Sequence, residues 1–218
     1  MDHLEEIAER IREEFDALNE TRDHALIQAR KLTRHCAHAI RAVHRREREQ
    51  AAVELKEAGQ LASDLTGDLR ESYPSLYYAG YTQDALKEYA EAKIVFSLVD
   101  DEALPTPEEL SLEPATYLKG LSEAVGELRR RILDILRGGY SPEAERLLQH
   151  MDEIYAVLVT MDYPDAVTFG LRRLTDICRG IIERTRGDLT ISFRQGKLEQ
   201  SLQAAEKNFL SANSDEAN

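Results

Sequence analysis

Two glutamates stand three residues apart in the segment LKEYAEAKIVFSLVD, residues 86–100: Glu88 and Glu91. On a helix this spacing puts the side chains about 5–6 Å apart at Cβ, so the two carboxylates share a face. The same side continues through Val95 and Leu98, which places the pair at the head of an apolar stripe, at a seam between helices. Two carboxylates that close repel one another, and partial burial raises one pKa unless a cation lies between them. A divalent metal is one such cation. Oxygen-only ligands suit Mg²⁺ or Mn²⁺, which keep several waters and take phosphate oxygens of a substrate into the remaining positions. Asp152 is the candidate third ligand. It lies among Leu148, Met151 and Tyr155, on or beside the inward face of its helix, where an unpaired carboxylate is strongly disfavoured. A plainer alternative stands beside this one: Glu88 and Glu91 on a surface with Lys87, and Asp152 at a rim bonded to a Tyr or an Arg. An ExxE pair arises readily by chance in a chain with 41 acidic residues.

A second constellation is basic. Arg34, His38, Arg41, Arg45 and Arg48 fall at steps of four, three, four and three, one helical face extending over roughly 21 Å at about 1.5 Å per residue. Arginine is well shaped for bidentate contact with phosphate. The formal net charge is −13, which repels a polyanion unless positive charge is locally concentrated, and that makes the row informative. The competing reading is a solvated face whose arginines pair with Glu47, Glu49 or a neighbouring acidic helix. The runs at 129–131 and 172–173 are weaker signals, because adjacent residues on a helix point in different directions. His35, Cys36 and His38 lack a second cluster to complete a zinc site. His24, His44 and His150 form no nucleophilic pattern, and neither GxxxxGK[ST] nor GxGxxG occurs.

Helices must hold both constellations, and the composition supplies them. Hydrophobic residues make up 42% and charged residues 32%, the aromatic content is Tyr and Phe alone, and Gly and Pro number only 11 and 6, a balance that favours helix over sheet. The chain is predicted to be all-α, a bundle of six to seven helices, with one domain over residues 1–209 and a disordered acidic tail at 210–218. Long helical patterns cover 2–20 and 23–57, with Leu32, Cys36, Ala39, Ile40 and Val43 on the core face. The helix carrying Glu88 is predicted to begin before Ala85 and to end near Leu98. Thr106-Pro107-Glu108-Glu109 reads as a capping box. Pro114 opens a helix with the stripe Tyr117, Leu121, Val125, Leu128, Ile132 and Ile135, closed by Gly138-Gly139. Ser141-Pro142 starts the next, whose core face is Leu147, Leu148, Met151, Ile154, Tyr155 and Leu158. A last helix is predicted from near Asp165, loosening at Gly187 and Gly196. Tyr77, Tyr78 and Tyr81 suit either core or an oligomer contact. The longest uncharged apolar runs fall far short of the roughly 20 residues of a membrane span, and the N-terminus has no signal-peptide layout. A cytoplasmic protein with no membrane contact is expected, its Cys36 and Cys178 buried thiols in a reducing compartment.

The order LTRHCAHAIRAVHR, KEYAEAKIVFS, YLKGLSEAVGELRRRILDILRGGY, LLQHMDEIYAVL resembles the translin superfamily, and its translin-associated factor X (TRAX) branch more than translin itself. The resemblance covers residues 5–190, and its most specific parts are Glu-Tyr-x-Glu-Ala at 88–92 and the Tyr-Leu-x-Gly and Gly-Glu-Leu-x-Arg of the helix from 117. It implies a seven-helix unit assembling into hollow multimers, commonly octamers, with nucleic acid inside. For the factor X branch it implies Mg²⁺-dependent endoribonuclease action on single-stranded RNA. Carried onto this chain, the acidic ligands fall on Glu88, Glu91 and Asp152, with Glu127 a further matching glutamate; the row Arg34, His38, Arg41, Arg45 and Arg48, read from its own spacing, would hold the strand. Translin-like members bind single-stranded RNA or DNA without cutting, so a non-catalytic homo-oligomeric binding protein is the competing expectation. A helical scaffold whose basic row meets an acidic partner protein is a third. Lys93, where a smaller or apolar residue often follows Glu-Ala, and the extension after residue 190 depart from the pattern.

Overall fold

The computed structural model describes residues 2–215. Among them the chain forms eight α-helices and no strand: α1 (Asp2–His44), α2 (Arg48–Ser72), α3 (Pro74–Tyr77), α4 (Gly80–Val99), α5 (Pro114–Leu136), α6 (Pro142–Leu158), α7 (Asp165–Thr168) and α8 (Leu171–Asp215). Six are long, while α3 and α7 are single turns. None is long and apolar enough to cross a membrane.

Several boundaries carry the chemistry read from the sequence. Thr106 and Glu109 form the reciprocal box, the Thr106 amide donating to Glu109 Oε2 at 2.8 Å and the Glu109 amide to Thr106 Oγ1 at 3.2 Å. Ser141 Oγ accepts from the Glu143 amide at 3.2 Å, with Pro142 in the first helical position. Gly139 takes a φ of 103° beyond the end of α5.

The first boundary differs from expectation. Residues 2–44 are one helix rather than two, and the pattern expected over 23–57 breaks at Arg45–Glu47. Arg46 adopts a left-handed φ of 62°, its amide donates to Val43 O at 3.0 Å and that of Glu47 to Ala42 O at 2.9 Å. This is a Schellman termination built without glycine. Between buried Val43 and buried Ala51 every side chain is polar or charged, so a continued helix would have no apolar face to bury there. The last helix is corrected likewise. Asp165 opens only one turn, Phe169 and Gly170 take φ of 49° and 87°, and α8 starts at Leu171. It runs unbroken past Gly187 and Gly196, since an isolated glycine weakens a helix by only about 1 kcal/mol. The tail expected at 210–218 continues α8 as far as Asp215, no Pro or Gly intervening after Gly196, and residues 216–218 lie outside the described residues.

Two compact units make up the chain: Met1–Ala124 with Tyr163–Leu171, and Val125–Asp162 with Arg172–Asn218. In the first, α1 packs on α2 and α4, and Leu32, Cys36, Ala39, Tyr77, Leu86, Ile94 and Val95 are sealed from solvent. Full burial of each large apolar side chain contributes about 1.5–3 kcal/mol. Tyr78, by contrast, is exposed. In the second, Leu128, Ile132, Leu147, Met151 and Leu158 form the core with Cys178, Ile182 and Leu189. The three successive arginines of α5 point three ways. Arg129 bonds to Thr185 and Asp188 on α8, Arg130 faces Glu127 on its own helix, and Arg131 pairs with Glu143 on α6.

Within the first unit one contact sets the spacing of α4 and α5. A Cβ on Gly120 would lie 2.6 Å from Ala90 Cβ, 2.8 Å from the Lys87 carbonyl oxygen and 3.0 Å from the Glu91 amide nitrogen. Two of these are backbone atoms and cannot rotate away. Gly120→Ala is therefore expected to destabilise by about 1–3 kcal/mol through overpacking, a fall in Tm of about 2–4 °C per kcal/mol. Gly126→Ala, with nothing within 4 Å, should be neutral or gain up to about 1 kcal/mol from helix propensity. Thermal unfolding followed by far-UV circular dichroism checks both, and equal Tm values for the two variants would refute the packing argument.

Candidate metal centre and basic face

The segment 88–92 is locked between two neighbours. Tyr89 is buried against α2, where its hydroxyl lies 3.2 Å from the Cβ position of Gly59, while Ala90 and the Glu91 amide meet Gly120 on α5. With the register of α4 so fixed, Glu88 and Glu91 face the same seam. One turn beyond Gly120, Glu123 joins them. One carboxylate oxygen from each of Glu88, Glu91 and Glu123 lies within 4.8 Å of the others, the one such group of His, Cys, Asp or Glu among the described residues. Glu91 is buried and the other two are partly so.

Lys87 supplies positive charge to this group. Its Nζ donates to Glu123 Oε2 at 2.6 Å and lies 3.1 Å from Glu88 Oε1. Burial alone would lower the ammonium's pKa, but the hydrogen bonds and charges of Glu123 and then Glu88 outweigh it and hold it above the ordinary lysine value. Beside the cluster, Cys36 of α1 is buried and in no disulfide. Burial first, then the negative charges of Glu88 and Glu91, push its thiol far up. Cys178 in the second unit is likewise in no disulfide, its thiol raised by burial to about 11.

The donor set fits a hard divalent ion. It is all oxygen, it carries more negative charge than one ammonium cancels, and oxygens on opposite sides of a Mg²⁺-sized ion stand about 4.2 Å apart, close to the span observed. Glu123 was missed by sequence reasoning. It lies one turn before Glu127 on the same side of α5, but only the contact at Gly120 shows which of the two meets α4. Glu127 lies in the second unit, 3.6 Å from Arg130. Asp152 lies there too, partly exposed, and accepts from Arg186 Nη2 through both oxygens at 2.6 and 2.7 Å. The plain alternative thus describes the present partners of Glu88 and Asp152, while buried Glu91 departs from it.

The basic row is shorter than its spacing promised. Arg34, His38 and Arg41 are exposed on α1, but the helix ends at His44, so Arg45 lies in the turn and Arg48 opens α2. Arg48 is hydrogen-bonded to Asp100 and Glu102, its guanidinium 5.2 Å from the Phe96 ring centroid. His35 and His38 are 2.8 and 3.8 Å from the carboxylate of Glu54 on α2.

Burial alone would raise the Glu54 carboxyl, but the hydrogen bonds of His35 and Gln50, with the charges of both histidines, hold it below the ordinary glutamate range. A depressed folded pKa stabilises above the unfolded pKa, and that contribution disappears as pH falls through the folded value. Glu54→Gln should therefore unfold at lower temperature than the parent protein at pH 7. The gap is expected to close as pH drops below about 4. A Tm series against pH measures this, and a gap constant down to pH 3 would exclude it.

No protein-family model matches the chain. Uncharacterized protein MJ0175 of Methanocaldococcus jannaschii is 31% identical over 183 residues, 83% of this chain and 80% of that protein. Among solved structures, the crystal structure of AfC3PO superposes with a TM-score of 0.79 at 34% identity, covering 86% of this chain and 97% of that one. A complex of AfC3PO with duplex RNA gives 0.77 at 32%, covering 86% and 96%. Apo-NeC3PO, at 23% identity, shares the fold with a TM-score of 0.77, covering 84% and 96%.

Proposed function

This chain belongs to the translin/TRAX (C3PO) superfamily, and on that premise we propose that it is an RNA-binding, Mg²⁺- or Mn²⁺-dependent endoribonuclease of the cytoplasm. Single-stranded RNA is the proposed substrate. The observation that carries the reading is the convergence of Glu88, Glu91 and Glu123 on one half-buried point. These three residues would hold the ion. A divalent ion there supplies a Lewis acid for the scissile phosphate and lowers the pKa of water. The chain's own part is to keep three oxygen donors together, and to present Arg34, His38 and Arg41 to phosphates along α1. Roles for Asp152 and Glu127 belong to the same proposal, as does membership of the factor X branch. Asp152 is held by Arg186.

Assembly into a homo-oligomeric shell is part of the reading. Leu4, Ile11 and Phe15 form an exposed apolar line on α1, and Ile191, Leu198, Leu202 and Phe209 form another on α8, each at helical spacing. Exposed lines of this kind suit contacts between copies. An octamer is what the family resemblance implies.

A second reading has its own support. Lys87 neutralises carboxylates of the cluster and, separately in the second unit, Arg186 that of Asp152, which fits a protein that binds single-stranded RNA or DNA without cutting it. AfC3PO has been solved with duplex RNA, so the deciding assay offers end-labelled single strands and duplexes, with Mg²⁺ and with chelator. Glu88→Gln, Glu91→Gln and Asp152→Asn should each slow Mg²⁺-dependent cleavage by about a hundredfold or more. Mg²⁺-dependent cleavage at the parent rate by Glu91→Gln removes this cluster as the centre of the reaction. Salt-sensitive binding without any product establishes the second. In either case Arg34→Ala with Arg41→Ala should weaken binding and flatten its salt dependence, by about one unit of slope for each phosphate no longer neutralised.

A further inference from the structure

Lys87 lies within the carboxylate cluster rather than beside it. Its side chain is only 15% exposed, and its ammonium is held at hydrogen-bond distance by Glu123 and Glu88, two of the three residues whose oxygens converge. The tether is short: Lys87 precedes Glu88 directly, and its carbonyl oxygen is one of the backbone atoms against which Gly120 packs. The base of the side chain is therefore fixed at the seam, and only its four-carbon stem can move. An ammonium so placed and a divalent ion compete for the same oxygen lone pairs, and two cations in a half-buried space repel one another.

We propose that Lys87 is the resident counter-ion of this cluster, and that a divalent metal ion loads by displacing it. The inference rests on the metal-site reading above. A divalent ion brings one more positive charge to the three carboxylates than the ammonium it replaces, so the exchange is electrostatically favourable inside the cluster. Its opposing term is the loss of two charge-assisted hydrogen bonds. Two consequences follow. The protein holds its carboxylates together without metal, so folding does not depend on the ion. Its affinity for metal is set below that of the same three carboxylates without the lysine, and the released ammonium becomes available to an incoming phosphate.

The test uses the full chain and Mn²⁺ as probe, with bound ion counted by electron paramagnetic resonance and Tm measured in chelator. Lys87→Met keeps the length of the stem and removes the charge. It should bind Mn²⁺ at least about tenfold more tightly than the parent, and in chelator it should melt at lower temperature, a deficit that saturating Mn²⁺ closes. Equal or weaker Mn²⁺ binding by Lys87→Met, while the parent binds an ion that Glu91→Gln loses, overturns the displacement and leaves the metal site standing. Mn²⁺ binding unaffected by Glu91→Gln removes the site itself, and the displacement with it. A measurement on the parent protein makes the outcome independent of how the variants fold. Lysine acylation read by mass spectrometry should label Lys87 several-fold faster with saturating Mg²⁺ than in chelator, and a rate unchanged or slowed by Mg²⁺ overturns the proposal.

Discussion

The missing side chain of Gly120 sets how closely α5 approaches α4, and the candidate site depends on that approach. The atoms it meets include the carbonyl of Lys87 and the amide of Glu91, so the contact is made with the backbone of the acidic segment itself. On the other side of α4 the Tyr89 hydroxyl reaches Gly59 of α2. These two close approaches fix the register of α4, and its carboxylates face α5. Glu123, three residues beyond Gly120, then has no choice of neighbour.

That geometry creates an electrostatic problem, which the fold answers locally. Glu91 is buried, and a buried carboxylate beside two others is strongly disfavoured unless positive charge comes close. Lys87 comes close. The same logic recurs where Arg48 lies between Asp100 and Glu102, and where Arg186 grips Asp152. In a chain of net charge −13, many of its cations are employed in holding its own acids. The exposed Arg34, His38 and Arg41 of α1 are of interest for binding because they form a row that faces solvent.

Among the described residues, the non-glycine Arg46, Asp101, Ser111 and Phe169 take left-handed φ angles. At Arg46, Asp101 and Ser111 the following amide reaches back five residues to a carbonyl, Glu47 to Ala42, Glu102 to Ser97 and Leu112 to Pro107. The hydrogen bonds gained there offset the left-handed strain, which is of order 1 kcal/mol for a residue with a Cβ. Such endings leave little trace in composition, because the usual marker, glycine at the left-handed position, is absent. This is why the break after His44 was not legible, and with it the division of the five-residue basic row.

Much of what depends on neighbours along the chain could be read from the residues alone. The 3.6-residue repeat of Leu32, Cys36, Ala39, Ile40 and Val43, the box at Thr106 and Glu109, the cap at Ser141 and the shared side of Glu88 and Glu91 are short-range facts, and each is present in the fold. Packing between distant helices settled the rest: which carboxylate from another helix meets that pair, and which cation attends each acid. Spacing along α5 offers Glu123 and Glu127 equally, and spacing along α6 places Asp152 near an inward face without saying that Arg186 waits there. Those choices turn on the depth and register at which helices distant in sequence pack, set here by the absence of a Cβ at Gly59 and Gly120, a property that no local pattern contains.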